Sequence, residues 1–276
     1  MTPRLPRLAR TRRAPHRPTG ARGGLAALSA LALLVFAFTG ISCAGFSPGR
    51  PEPTTGPSTA AGAPVMRVRL GGSRDSAEFS SEGGVDLRVI GPSGAHVRTR
   101  PGETVRVSVG ELGWTVRLPS GEKRLGEGVL SVRSASSQPI SFMNGLHEGE
   151  FTLLARREVS PGVFDVVERV PMEVYIAGVI SKELYPNWSP ATFEAQAIAA
   201  RSYAMHERQR QIAAKRDWDI ESTDADQVYA GAAANPTALR AAQATAGRVL
   251  KHKGFLLRAY YSSTCGGRAA SARDIW

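Results

Sequence analysis

The sequence predicts an α+β protein in which a β-rich first part is followed by a helical pair and further strands. Between residues 65 and 168, short segments alternate between apolar and polar residues, which is typical of strands with one buried face. From Val170-Pro171 onward the apolar residues recur with a period of about 3.6, which indicates helices. The chain has 276 residues, 42% hydrophobic and 21% charged, as in ordinary folded proteins.

The first 43 residues have the composition of an export leader. Seven arginines precede the apolar stretch GLAALSALALLVFAFTGISC, and the first acidic residue is Glu52. Cys43 lies in GISCAG, which resembles a bacterial lipoprotein cleavage site, although Gly40 stands where an aliphatic residue is usual. Lipidation of Cys43, an uncleaved membrane anchor and a cleaved signal peptide are three open alternatives. Each predicts an exported protein facing the periplasm or cell wall.

The net charge of +11 does not indicate a nucleic-acid-binding protein, because much of it lies in the leader. Without the seven leader arginines the chain has 28 basic and 24 acidic residues, a net charge of +4. This distribution is typical of targeting, so we expect no nucleic-acid partner. The chain has two cysteines, Cys43 and Cys265, and if Cys43 is lipidated or removed no intramolecular disulfide can form.

Residues 44–64 are rich in Pro, Gly, Ser and Thr, which predicts a flexible tether between the leader and the folded part. The folded part is expected over 65–276, with its β-rich portion over 65–168. Turn-rich sequences such as GPSG and LPSGEK separate the predicted strands. Those strands lie in the segments MRVRL, VDLRVI, HVRTR, TVRVSV, WTVRL, VLSVRS and FTLLARREV.

Three helices are predicted in residues 169–276. The first spans residues 172–184. The second begins after Ser189, a good N-cap that is followed by a proline, and continues to about Lys215. The third begins after Asn235 and ends at Gly247.

A β-hairpin around His252-Lys253-Gly254 is expected after the third helix. The chain then stops in a loop of small residues without a closing element. We therefore expect that the domain continues beyond Trp276.

A carboxylate falls on the apolar face of the first predicted helix. Ile176, Val179 and Ile180 define that face, and Glu183 follows Val179 by four residues and Ile180 by three. Such a carboxylate is paired, lies at the rim of a cleft or has a raised pKa. From spacing alone, Glu183 either ends the helix by pairing with Arg201 or takes part in chemistry. Two other charged residues of this helix, Glu173 and Lys182, lie elsewhere on the helical wheel and can be solvated.

Three sequence blocks resemble, in order and spacing, the SpoIID/LytB family (stage II sporulation protein D and relatives). They are VPMEVYIAGVISKELYPNW with FEAQAIAARSYA, then DIESTDADQVYAG, then LLRAYYSSTCGG. The resemblance covers about residues 165–276, and the β-rich part is compatible with the family's N-terminal portion. It implies cell-wall remodelling. Some members are lytic transglycosylases that cleave the bond between N-acetylmuramic acid and N-acetylglucosamine in peptidoglycan, and others enhance wall amidases.

The resemblance implies that Glu183 is a catalytic acid lining a glycan cleft, which the helical pair and further strands form. Ordinary glycosidases use two carboxylates. A lytic transglycosylase instead lets the 6-hydroxyl of the sugar attack, so one carboxyl can act as acid and then as base. The apolar neighbours Val179, Ile180 and Leu184, with Tyr185 and Trp188 as further candidates, would raise its pKa.

Further substrate-binding residues are implied by the same resemblance. They are Gln196, Arg201 and Tyr203, then Asp226, Gln227 and Tyr229, and finally Ser263, Thr264, Gly266 and Gly267. Arg201 either holds Glu183 in position or binds a substrate oxygen. Family members often have a histidine where Ser262 stands, and some carry His and Cys residues near the QVY loop that could bind zinc. The loop here reads ESTDADQ, so we expect neither a metal nor another cofactor.

Three functions are compatible with these patterns. The first is a membrane-tethered lytic transglycosylase whose partners are peptidoglycan glycan strands. The second is a non-catalytic wall-binding protein that recruits or stimulates a cell-wall amidase. The third is an exported structural or adhesive β-rich protein. A serine- or cysteine-hydrolase is not expected, because His147, His206 and His252 have no triad spacing and are predicted to be surface or packing residues.

Overall fold

The computed structural model describes residues 64–262. The predicted α+β class is confirmed: in this part of the chain, twelve strands precede the first helix. Cys43, Ser263, Thr264, Gly266 and Gly267 lie outside the described residues. Within the described range, no helix combines the length and hydrophobicity that crossing a bilayer requires.

Most of the strands form two antiparallel sheets. The strands before the first helix are β1 (Val65–Arg69), β2 (Ser76–Ser80), β3 (Val85–Ile90), β4 (His96–Arg98), β5 (Val105–Gly110), β6 (Gly113–Leu118), β7 (Gly121–Gly126), β8 (Val129–Ser134), β9 (Ile140–Phe142), β10 (Gly145–His147), β11 (Glu150–Ala155) and β12 (Phe164–Pro171). One sheet has the order β1-β12-β11-β8-β3-β4 and the other has the order β10-β9-β2-β5-β6-β7. A short strand, β13 (Ile220–Glu221), extends the first sheet by pairing parallel to β1.

The two sheets pack face to face through alternating apolar side chains. Along β3, for example, the first, third and fifth residues are buried and the others are more exposed. Aromatic contacts join the sheets: the ring centroids of Phe79 on β2 and Phe151 on β11 lie 5.1 Å apart. Those of Trp114 on β6 and Phe164 on β12 lie 5.2 Å apart. Burial of this apolar surface is the main contribution to the stability of the fold. The close-packed sandwich is also a rigid support for the helices.

The helices follow directly from β12. α1 (Met172–Glu183) begins at the residue after Pro171, and the N–H of Met172 donates to the carbonyl of Pro64. α2 (Pro190–Ala213) and α3 (Pro236–Ala244) each begin with a proline after a capping side chain. Ser189 caps α2 and Asn235 caps α3, as the sequence predicts. The three helices pack against one another, and α1 also contacts β12 and β1.

The helix boundaries agree with the sequence predictions to within two residues, except at the end of α3. This helix ends at Ala244, three residues before Gly247. The reason lies in Thr245, which is buried and whose hydroxyl donates to the carbonyl of Ala241 and receives hydrogen bonds from Arg201. A side-chain hydroxyl that bonds back to the preceding turn offers the chain an alternative to further helix.

Two turn predictions have opposite outcomes. The expected hairpin is confirmed: β14 (Lys251–His252) pairs with β15 (Phe255–Leu256) across Lys253 and Gly254, whose φ angles of 48° and 85° fit a tight turn. The treatment of LPSGEK as a turn alone is wrong, because Gly121–Gly126 forms β7 at the edge of its sheet. The first four residues of β7 are exposed, so the strand lacks the apolar alternation that identifies strands in a sequence.

Candidate functional site

The loop between β13 and α3 is held between α1 and the sandwich. Gly178 on α1 makes room for it, because a Cβ there would lie 2.5 Å from the carbonyl oxygen of Gly231 and 2.7 Å from the ring of Tyr229. On the other side, the N–H of Ala232 donates to the carbonyl of Leu146 on β10 at 2.7 Å. The polar side chains of this loop are therefore fixed relative to α1.

Gln227 connects this loop with α1, α2 and the segment after β15. Its side chain is buried, and its Oε1 accepts from the hydroxyl of Tyr175 at 2.9 Å. Its Nε2 donates to the carbonyl of Ala200 at 3.3 Å and to the hydroxyl oxygen of Tyr261 at 2.9 Å. Because the amide has partners on both its oxygen and its nitrogen, its orientation is fixed. Tyr261 accepts from Gln227, so its own O–H proton can be donated elsewhere.

Asp226 stabilises the same loop by accepting hydrogen bonds through both of its carboxylate oxygens. Its Oδ1 accepts from the hydroxyl of Tyr203 at 2.9 Å, and its Oδ2 accepts from the N–H of Glu221 at 2.8 Å. Burial, together with the hydrogen bond and charge of Asp226, raises the pKa of Tyr203 to about 12. Tyr203 therefore remains a neutral donor at physiological pH, and both oxygens of Asp226 are used within the protein.

Glu183 is the carboxylate beside this network. It is the last residue of α1 and is partly buried, whereas Ile176, Val179 and Ile180 on the same face are fully buried, which confirms the predicted helical face. Burial raises the pKa of Glu183 above its ordinary value. The negative end of the helix dipole acts in the same direction.

Two tyrosine hydroxyls, those of Tyr175 and Tyr261, lie within electrostatic range of Glu183. Burial is the main cause of the raised pKa of both Tyr175 and Tyr261, and the charge of Glu183 contributes to each. Its carboxylate is therefore electrostatically coupled to these two phenols. Between residues 64 and 262, no cation pairs with Glu183, and desolvation is the cause of its shift.

Arg201 lies at the opposite end of α1 from Glu183. Its guanidinium is buried and pairs with Glu173 in the first turn, with Nε 3.1 Å from Oε1 and a second, shorter contact from Nη2 to Oε2. It also donates to the carbonyls of Ala242 and Arg248. Glu173 and Glu183 are ten positions apart in the helix, which is about 15 Å along the axis.

This placement corrects two expectations from the sequence. Glu173 is not simply solvated, because it pairs with a buried arginine. Arg201 does not pair with Glu183. It joins α1 to α2 and to the segment after α3, and with 1% of its surface exposed it offers almost no area to a substrate.

A cavity of about 570 Å³ lies at that same end of α1. Apolar side chains such as Met172, Met205 and Phe255 contribute to its lining. Its carboxylate, Glu173, is committed to Arg201. The cavity therefore lacks an available acid, and the Glu183 end of the helix remains the candidate site.

Gln196 and Tyr229, two other residues predicted to bind substrate, lie in different surroundings. Gln196 is partly buried on α2, one turn before Ala200, and so lies on the helix face that contacts Gln227. Tyr229 is buried and packs, its ring centroid lying 5.1 Å from that of Tyr175 and 6.1 Å from that of His147. Tyr229 therefore supports the loop from inside.

The predicted packing role of His147 agrees with its position, since it is buried and hydrogen-bonded to Glu168 at 2.6 Å. Within residues 64–262, no three His, Cys, Asp or Glu side chains come together in an arrangement suited to a metal ion. Sequence reasoning missed Tyr175 and Tyr261 as members of the site. Both lie in the motif blocks, but the partner of a tyrosine hydroxyl cannot be read from spacing.

The carboxyl of Glu183 is expected to titrate above the range of exposed glutamates. Because burial disfavours its charged form, the folded chain binds this proton more tightly than the unfolded chain does. The stability that this proton contributes is present below the unfolded pKa and is lost as the pH rises through the folded pKa. The ¹³C resonance of the side-chain carboxyl, assigned by its loss in Glu183→Gln, would give the midpoint. A midpoint at the value for unfolded peptides would contradict the expectation.

Residues 161–252 match the family described as Stage II sporulation protein (SpoIID), which is the family that the sequence blocks resemble. The match includes the first two blocks and ends before the third, LLRAYYSSTCGG, so it is shorter than the predicted range of about residues 165–276. These residues extend from just before β12 to β14 and include all three helices described above. No solved structure matches the chain.

Three curated proteins are similar to part of the chain. An uncharacterized protein of Brachyspira hyodysenteriae is 34% identical over 112 residues, covering 40% of this chain and 30% of that protein. The Amidase enhancer of Bacillus subtilis is 36% identical over 101 residues, covering 37% and 13%. Stage II sporulation protein D of the same organism is 27% identical over 124 residues, covering 40% and 36%. The matched segment thus spans between 13% and 36% of the length of these relatives.

Proposed function

We propose that the protein is an exported lytic transglycosylase of peptidoglycan with Glu183 as its acid and base, on the basis of the match of residues 161–252 to the SpoIID family. The carboxyl of Glu183 is the observation that supports this most. It ends a helix, is partly buried and has a raised pKa without a cation partner among residues 64–262. A general acid at neutral pH needs a raised pKa, and a salt bridge would lower the pKa of the carboxyl.

The proposed reaction requires one carboxyl. Protonated Glu183 donates its proton to the glycosidic oxygen, which leaves as the 4-hydroxyl of N-acetylglucosamine while positive charge develops at C1 of N-acetylmuramic acid. The Glu183 carboxylate then accepts the proton of the C6 hydroxyl as that oxygen bonds to C1 and closes a 1,6-anhydro ring. No water is consumed, and Glu183 is protonated again at the end of the cycle.

The neighbouring polar groups have supporting roles in this proposal. Gln227 and Asp226 fix the loop beside α1, and each is already bonded within the protein. Tyr261 can donate its hydroxyl proton to a sugar oxygen, and Gln196 lies on the α2 face that contacts Gln227. Ser263, Thr264, Gly266 and Gly267 are predicted to complete the cleft, and the leader to hold the protein at the membrane.

A second candidate function is stimulation of a cell-wall amidase by a protein that binds the wall without cleaving it. The 36% identity to the Amidase enhancer of Bacillus subtilis favours this candidate. In that case the cleft would still bind glycan, but Glu183 would be dispensable.

The product of the reaction distinguishes these functions. The full chain, purified in a mild detergent, would be incubated with purified peptidoglycan glycan strands and the products identified by mass spectrometry. We expect 1,6-anhydro-N-acetylmuramic acid ends. Ordinary reducing ends would indicate hydrolysis and contradict the proposed chemistry. If no ends form, while the protein sediments with the wall and accelerates an added amidase, the second function is correct.

A further inference from the structure

The loop between α1 and α2 exposes two aromatic rings directly after Glu183. Tyr185 is 69% exposed and Trp188 is 43% exposed. Their ring centroids lie 5.6 Å apart, with the ring planes at 60° to each other. Large aromatic groups are unfavourable in water, and adjacent exposed ones are typical of a binding surface.

Hydrogen bonds fix the backbone that carries these rings before any ligand binds. The N–H of Leu184 donates to the carbonyl of Ile180, and the N–H of Trp188 donates to the carbonyl of Tyr185 at 3.1 Å. Ser189, the next residue, caps α2. Because the loop is fixed at both ends and across its turn, little conformational entropy is lost when a ligand contacts the rings.

The loop also lies close to the proposed acid. Tyr185 follows Glu183 by two residues, so their Cα atoms are at most about 7 Å apart. Residues 184–189 carry no charged side chain, and Asn187, which lies between Tyr185 and Trp188 in the sequence, is exposed. An anionic ligand would need a cation here, whereas a neutral ligand with an apolar face and a polar rim would suit two rings and an amide.

We propose that Tyr185 and Trp188 form a stacking subsite for one pyranose ring of a β-1,4-linked N-acetylhexosamine chain. The C–H groups on the face of the sugar lie against an aromatic ring, while its hydroxyl and acetamido groups remain in contact with water or Asn187. The subsite holds the sugar next to the bond at Glu183. The identity of the chain rests on the proposed function, but the stacking does not depend on cleavage.

Calorimetric titration with chitotetraose, a soluble tetramer of β-1,4-linked N-acetylglucosamine, tests this subsite on the full chain in detergent. We expect Trp188→Ala to raise Kd about tenfold, Tyr185→Ala to weaken binding as well, and Trp188→Phe, which keeps a ring, to have the smaller effect. Phe255→Ala is the matched control, because Phe255 is 79% exposed but lies on the β14-β15 hairpin. Its Kd should equal that of the wild type.

The outcomes separate the subsite from the reaction. If both alanine variants bind chitotetraose as the wild type does, or if the wild type does not bind it, the subsite is wrong. If the alanine variants lose binding while the wild type forms no anhydro ends, the subsite stands and the transglycosylase proposal fails. If the wild type forms anhydro ends and the alanine variants bind and cleave equally well, the reaction stands without the subsite.

Discussion

Glu183→Gln is expected to lower the rate of 1,6-anhydro end formation about 1000-fold, because general acid-base catalysis typically contributes 10²- to 10⁴-fold. The amide keeps the shape of the side chain but cannot deliver a proton to the glycosidic oxygen. The same change removes a partly desolvated charge at the negative end of a helix. The thermal midpoint at neutral pH should therefore be unchanged or higher. Initial rates from mass spectrometry and a thermal melt of the same preparation check both expectations.

The control for this variant is Glu82→Gln, because Glu82 is exposed in the turn between β2 and β3. It should retain wild-type rate and stability. If Glu183→Gln cleaves glycan strands at a rate close to the wild type, Glu183 is not the acid, whatever its position. If its rate falls together with its thermal midpoint, the loss is structural and the chemical role is not supported.

The position of Glu183 could be predicted from the sequence because it depends on local periodicity. Spacing from Val179 and Ile180 fixes which face of α1 it shares, and those residues are buried as expected. The start of α2 was equally predictable, since an N-cap serine followed by proline acts within one turn. β7 could not be found in the same way, because an edge strand with exposed side chains has no apolar pattern.

The partner of Arg201 could not be predicted from spacing. Glu173 and Glu183 are both on α1, and both are carboxylates that an arginine on the next helix could reach. The choice depends on where α3 ends: Thr245 and the carbonyls of Ala242 and Arg248 surround the guanidinium at the Glu173 end. Contacts of this kind join segments more than forty residues apart and leave no periodic signal.

The tyrosine network shows the same limit. Tyr175 and Tyr261 meet at Gln227, although 86 residues separate the two rings in the chain. A tyrosine in a motif block is equally compatible with packing and with hydrogen bonding. Only the fold shows that one amide side chain accepts from the first hydroxyl and donates to the second.

Arg201→Met is expected to destabilise the protein by about 3 kcal/mol, the lower end for loss of one partner of a buried ion pair. The methionine keeps an apolar stem of similar length but leaves Glu173, whose side chain is 25% exposed, without its cation. It also leaves the carbonyls of Ala242 and Arg248 without these donors. For a domain of this size the thermal midpoint should fall by about 10 °C.

Two further variants show whether this loss belongs to the ion pair. Arg240→Met is the matched control, because Arg240 is exposed on α3 and its hydrogen bond joins it to Thr237. It should change stability by about 0.5 kcal/mol or less. In the double variant Glu173→Gln/Arg201→Met no charge is left unpaired, so its loss of stability should be smaller than the sum of the losses in the two single variants.

If Arg201→Met melts like the wild type but binds glycan strands more weakly, Arg201 is a substrate ligand instead. In that case Glu173 must be able to release it, and the two ends of α1 would both belong to the glycan-binding surface.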